Sequence, residues 1–225
     1  MRKSLVAGLL AAATFGAAAQ TLDVGGLSLD PLGFADVLIS SSGSFTTNAG
    51  PVSLAQALTD HQLSTWVQSS SAGASVVLGF TDNRVRNDSG DDIALFEVGH
   101  EAYEYSQEGF DSLWITINGV RRLYFTTETT TLVDDHNVNM TRLDLDHFGL
   151  AAGATIDQLQ IGLDYNTRGS LPQLQLVAAI HSVAAPVPEP ASAALLLGGG
   201  LLLAGLRAGL RAPGLRAARS LRSGA

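Results

Sequence analysis

The chain has no cysteine, and its single lysine is Lys3. Without cysteine there are no disulfides, thiol nucleophiles, iron–sulfur clusters or cysteine zinc sites. The fold must hold by apolar burial alone, which a body of this length can supply. Between Gln20 and Pro186 the basic residues are six arginines (Arg84, Arg86, Arg121, Arg122, Arg142, Arg168) against twenty Asp and Glu, a net charge of −14. Such a body repels phosphate backbones and anionic lipids, which argues against nucleic-acid binding. Divalent cations and neutral polysaccharides suit it better. The plainer alternative is that acidity keeps the protein soluble.

Catalytic templates are also missing. His100-Glu101-Ala102-Tyr103-Glu104 starts like a zinc-protease motif but lacks the second histidine. The five histidines show no ligand spacing, no serine stands in a nucleophile elbow, and no glycine-rich phosphate loop occurs. Twenty carboxylates allow many acid pairs for glycoside hydrolysis, so no one pair is informative. Glu97, at the end of an apolar strand, is expected to be partly buried and paired with a residue such as Arg84 or Arg86.

The apolar runs lie at the two ends. Arg2 and Lys3 precede Leu5–Leu10, and Ala17-Ala18-Ala19 supplies the small residues that signal peptidase needs, so residues 1–19 read as a signal peptide. At the far end, Ala191–Leu206 is sixteen residues without charge, followed by Arg207, Arg211, Arg216, Arg219 and Arg222. At ~1.5 Å per residue this run spans roughly 24 Å, enough for a transmembrane helix if Arg207 snorkels or the bilayer thins. Arginines without acids after residue 206 put residues 207–225 in the cytoplasm and the body outside. Residues 184–190 read as a proline-stiffened linker. Val187-Pro188-Glu189-Pro190, the apolar span and the arginine-rich end together resemble the PEP-CTERM sorting signal. That resemblance implies export, transient or permanent anchoring in the inner membrane, and processing by exosortase.

The body, residues 20–183, has the period of strands. Ser53-Leu54-Ala55-Gln56 has capping-box form and predicts a short helix to about Thr59. From Ser75 onward apolar residues alternate: Leu113, Ile115 and Ile117 against Trp114 and Thr116, and Leu159, Ile161 and Leu163 against Gln158 and Gln160. Leu174, Leu176, Ala178 and Ile180 alternate with Gln173 and Gln175. Asn118-Gly119 predicts a tight hairpin, with Leu123 and Phe125 on the core face of the returning strand. Leu143 and Leu145 are out of phase with Val138 and Met140, which predicts a bulge near Thr141. Seven or eight short strands in turn-rich sequence predict an all-β fold, an antiparallel, jelly-roll-like β-sandwich.

Two motifs stand out in the body. Asp60-His61-Gln62-Leu63-Ser64-Thr65-Trp66 resembles the early Asp…Thr-Trp signature of discoidin-like, galactose-binding-like jelly rolls. That resemblance implies a structural calcium held by Asp60 and Thr65; the alternative is an Asx turn with Trp66 in the core. Asp82–Asp92, with Asn87-Asp88-Ser89-Gly90-Asp91-Asp92 at its end and running into Ile93–Glu97, resembles a loop-and-strand of exported β-sandwich proteins, many with PEP-CTERM tails. Asp146–Asp157 resembles the closing element of that group. Asp88, Asp91 and Asp92 would repel one another unless calcium or solvent relieved them, and both readings stay open.

The function expected from these features is that of a non-enzymatic surface or extracellular-matrix protein. Its partners would be signal peptidase, exosortase, the membrane and extracellular polysaccharide, with calcium as the one cofactor to consider. Trp114 and Tyr124, both expected on the solvent face, are the candidate sugar-stacking residues. The alternatives are an exported glycan-acting hydrolase and a bitopic protein that keeps its tail.

Overall fold

The computed structural model describes residues 21–101, 111–163 and 171–185, all in a compact unit that closes at Ala185. The signal peptide, the Val187–Pro190 motif, the C-terminal apolar run and the arginine tail lie outside the described residues. Among the described residues no helix is long and apolar enough to cross a membrane.

Strands dominate, and every pairing is antiparallel. In chain order they are β1 (Leu22–Val24), β2 (Leu27–Leu29), β3 (Val37–Ser42), β4 (Thr46–Thr47), β5 (Val67–Gln68), β6 (Ser75–Gly79), β7 (Asn83–Arg86) and β8 (Ile93–Glu101). There follow β9 (Ser112–Ile117), β10 (Val120–Phe125), β11 (Thr127–Val133), β12 (His136–Leu143), β13 (Thr155–Ile156), β14 (Gln158–Gly162), β15 (Leu174–Ala179) and β16 (Ser182–Ala184). One sheet runs β10-β9-β14-β6-β3 and a second β11-β12-β8-β15-β5-β4, with a small sheet β13-β7-β16 and the hairpin β1-β2 beside them.

The two large sheets pack face to face as a sandwich. From the five-stranded sheet, Val76, Leu78, Leu113, Ile115, Ile117, Leu159 and Ile161 turn inward; they meet Ile93, Leu95, Leu143, Leu174 and Val177 of the six-stranded sheet. Each such side chain contributes roughly 1.5–3 kcal/mol by leaving water. The alternation in β6, β9 and β14 is the sequence record of that one buried face.

The six-stranded sheet is covered on its other face as well. Val24 and Leu29 of the β1-β2 hairpin, with Phe34 and Leu63, pack on Ala94, Phe96, Val138, Met140, Leu176 and Ala178. This second layer explains why β8 begins as an unbroken apolar run, and it corrects two expectations. Val138 and Met140 face the hairpin while Leu143 faces the sandwich core. The phase change in β12 is therefore a change of face, and pairing with β8 is continuous from Val138 to Leu143. The irregularities lie between His136 and Val138 on β12 and between Leu174 and Leu176 on β15. At the latter, Gln175 is the extra residue of a bulge, so Leu174 and Val177 share the core face and Leu176 and Ala178 the outer one.

The helix α1 (Leu54–Thr59) forms as its capping box predicts, with Ser53 Oγ accepting from Gln56 N–H and the Gln56 side chain accepting from Ser53 N–H. Its Ala57 and Leu58 enter the core. The Asn118-Gly119 turn takes the left-handed pair of φ values, 49° and 80°, that a two-residue hairpin needs.

Candidate functional site

The Asn87–Asp92 loop and the Asp146–Asp157 element, both singled out in the sequence, are joined in space. Asn87, buried at the end of β7, donates from Nδ2 to Asp146 Oδ1 at 2.8 Å and to the Leu150 carbonyl at 2.9 Å. Its own backbone N–H bonds the Ala154 carbonyl, and its carbonyl accepts from Gly153 N–H. Asp92, fully buried, accepts at Oδ1 from Asp88 N–H (2.8 Å) and His181 Nδ1 (3.0 Å), and at Oδ2 from Leu145 N–H (2.9 Å). One asparagine and one aspartate thus tie the loop after β7 to the Asp146–Asp157 segment and to the chain between β15 and β16. The arrangement is architectural.

That use of the acceptors bears on calcium. Both oxygens of Asp92 are taken by protein donors. Asp91 faces Arg142 at 3.9 Å, and Asp88 faces Arg86 at 4.0 Å while bonding Ser89 N–H. Asp60 is the C-cap of α1, and its Oδ1 accepts from Gln62 N–H at 2.9 Å, an Asx turn. Thr65 is buried, with its N–H toward the Gln62 carbonyl at 3.4 Å. Among the described residues no group of three or more His, Asp or Glu could hold a metal ion. Asp88, Asp91 and Asp92 thus form no such group, and in the separate Asp60–Thr65 turn the Asp60 carboxylate is engaged at Oδ1 by Gln62 N–H. His61 holds the left-handed conformation (φ 59°) where glycine would be unstrained, and its ring lies 4.9 Å from that of Phe34.

Glu97 is buried more completely than expected, and its neighbours are not arginines. It faces inward at one end of the sandwich, opposite Asn139 and Leu174. Burial pushes its pKa up to about 8, and the nearby Asp111 carboxylate adds to the rise; hydrogen bonds from Thr126 and Asn139 pull the other way. The Asn139 amide reaches Glu97 Oε1 at 3.4 Å. At neutral pH Glu97 is therefore mostly a neutral acid inside the sandwich, which removes the need for a cationic partner.

Trp114 and Tyr124 do not share a face. The hairpin pairs Leu113 with Tyr124 and Trp114 with Leu123. Tyr124 consequently turns toward the core, half-buried, stacked on Phe148 with ring centroids 6.0 Å apart; burial pushes its hydroxyl pKa up. Leu123 and Phe125, expected inside, are 40% and 55% exposed.

Trp114 is left on the outer face of the five-stranded sheet, 36% exposed, with the Arg121 guanidinium 4.3 Å from its ring centroid. Register builds two rows across this face. Gln160, Thr116 and Arg121 form one, while Ser75, Gly162, Trp114 and Leu123 form the other. Gly162 contributes no side chain, and the rows enclose a groove of about 200 Å³ beside the indole. Gln160 Nε2 donates to Ser75 Oγ at 3.1 Å across the groove floor. The groove therefore offers an aromatic ring, a cation, hydroxyls and an amide on a rigid sheet.

A second tryptophan also lines a cleft. Trp66 is half-buried rather than in the core, and with Asn48, Asp134, His136, Gln173 and Gln175 it borders a cleft of about 290 Å³ at the β5-β15 side of the six-stranded sheet. Much of its polar lining is already committed. Asn48 donates to the Ser64 carbonyl and accepts from Trp66 N–H, and Gln175 donates to the Leu63 carbonyl. The sequence signalled Trp66 only as a motif residue, and Arg121, Gln160 and Ser75 carried no signal until register placed them beside Trp114. Comparison with protein-family models, with curated proteins and with solved structures finds no match for this chain.

Proposed function

We propose that this chain is an exported, exosortase-sorted surface or extracellular-matrix protein whose β-sandwich binds polysaccharide and performs no catalysis. Residues 1–19 act as signal peptide, Val187–Pro190 as the sorting motif and Ala191–Leu206 as the anchoring helix. The sandwich follows a jelly-roll-like plan and presents a sheet face to its ligand. The observation that carries the binding reading is the groove on the outer face of β9, β10, β14 and β6, where Trp114 stands beside Thr116, Gln160 and Ser75. An indole that packs on a sugar ring, with hydroxyl and amide groups at its rim, suits a flat polyhydroxylated ligand. Among the described residues no carboxylate lines this face, so binding here is read as independent of calcium.

The test is co-sedimentation of the full chain, in mild detergent, with insoluble polysaccharides in calcium and in chelator. Equal pelleting in both conditions, lost in Trp114→Ala, is expected. Pelleting that needs calcium would place binding elsewhere on the sandwich. Absence of pelleting with every polysaccharide would leave export and anchoring as the whole of the function.

A further inference from the structure

We propose that the Trp114–Arg121 groove selects a carboxylated sugar residue, a uronate of an acidic polysaccharide, with the carboxylate on Arg121; this rests on the polysaccharide reading above. The argument begins from local charge. The body carries twenty acidic residues against six arginines, yet among the described residues the groove is lined by one charged side chain, Arg121, and by no Asp or Glu. At physiological ionic strength charges are screened over about 8 Å. An anion seated in the groove therefore responds mainly to Arg121 rather than to the net charge of the chain.

Arg121 is also free to serve an anion. Arg142 lies near Asp91 and Arg86 near Asp88. Among the described residues Arg121 forms no ion pair; its guanidinium lies over the face of the Trp114 ring, 4.3 Å from the centroid. A guanidinium set over the ring face makes no hydrogen bond to it, so its N–H donors stay available to an anion. A planar carboxylate is the ligand that such a fork matches in two-point fashion. Behind it in the same row stand Thr116 and then Gln160, in cross-strand register with one another and with Arg121. Hydroxyl and amide groups there match the ring hydroxyls of a sugar whose body lies in the slot over Gly162. A neutral sugar would leave Arg121 desolvated on one side without return.

The probe pair is polygalacturonate and its fully methyl-esterified form, which share a backbone and differ in the carboxyl charge. Native-gel affinity electrophoresis of the full chain in mild detergent, with chelator present, reads the dissociation constants. The expected result is at least tenfold tighter binding to the free acid. Arg121→Gln abolishes that preference, Arg121→Lys retains part of it, and the remote Arg86→Gln leaves it intact. Circular dichroism melts of each variant confirm that the sandwich is folded, and Arg121 and Arg86 are both exposed enough for all three to pass. Equal affinity for acid and ester, or a preference unchanged in Arg121→Gln, overturns the proposal while leaving the polysaccharide reading in place. Binding to neutral cellulose or chitin alone does the same. Binding to no polysaccharide of either kind overturns both.

Discussion

Asn87 and Asp146, 59 residues apart, meet at 2.8 Å through an amide-to-carboxylate hydrogen bond. Five residues after Asn87, Asp92 makes the parallel link to Leu145 N–H at 2.9 Å. The two contacts fix where the loop after β7 sits against the short 3-10 turn Leu145–Phe148, and through His181 they reach the start of β16. A buried acceptor with three donors aimed at it cannot be replaced by a group that donates.

Asp92→Asn tests that statement most sharply. An amide nitrogen at either oxygen position would face N–H donors and leave at least one buried donor unpaired. The expected loss is about 2–4 kcal/mol, a fall in Tm of roughly 4–16 °C for a domain of this size. Asn87→Ala should cost about 1–3 kcal/mol by the same reasoning. Asp91→Asn, at an exposed and loosely paired position, should cost under about 1 kcal/mol. Urea unfolding of the three variants checks the order, and equal losses at positions 91 and 92 would contradict the buried-hub account.

Glu97 gives the fold a pH dependence of definite sign. Its folded pKa of about 8 lies above the ordinary 4.5 because of burial and the neighbouring Asp111. Between those values the folded state keeps a proton that the unfolded state has released. Stability from this group is complete below about pH 4.5, declines as pH rises, and levels off above about pH 8. Glu97→Gln keeps the shape and removes the titration. Unfolding free energies from pH 5 to 9 should therefore diverge, with the variant gaining on the parent by up to a few kcal/mol at the alkaline end. Parallel curves would show that Glu97 is not protonated in the folded protein.

How much of this was legible in the sequence varies with the range of the interaction. The α1 capping box and the Asn118-Gly119 hairpin are local, and both form where the residues indicate. The one-sided strands β6, β9 and β14 were readable because a single buried face leaves a period of two. β12 and β15 were misread because the β1-β2 hairpin and Phe34 bury their second face, and two buried faces erase the period. The misplacement of Tyr124 was avoidable: a two-residue turn at Asn118-Gly119 pairs it with Leu113, so a core Leu113 requires a core-facing Tyr124. The apolar character of Leu123 and Phe125 pointed the wrong way on an edge strand. Asp88, Asp91 and Asp92 stand out as a cluster, but the partners of Asp91 and Asp92 (Arg142, Leu145 and His181) come from distant segments that no local pattern announces.

Opposite faces for Trp114 and Tyr124 separate binding from stability. Trp114→Ala should weaken polysaccharide binding at least tenfold, with stability changed by about 1 kcal/mol or less, because the indole is partly exposed and its Arg121 contact is a surface cation–π pair. Tyr124→Ala should leave the groove intact and cost about 2–4 kcal/mol, since the ring packs on Phe148 and the core. Binding isotherms and melts of the same two proteins decide the matter. Equal binding losses would mean that the sugar-facing surface has been assigned to the wrong side of β10.

The proposed route of export makes a prediction about mass. If exosortase reads Val187–Pro190, the mature protein begins at Gln20 and ends near Glu189, so the apolar span and all five tail arginines are gone. Intact-mass spectrometry of the exported protein should find that single species, and Glu189→Ala should shift the population to a form that keeps residues 191–225 and stays with the membrane. An exported wild-type chain still carrying Arg207–Arg222 would support the bitopic alternative instead. The sandwich would then act at the membrane surface, held there by a span of about 24 Å that the lipid must thin to accommodate.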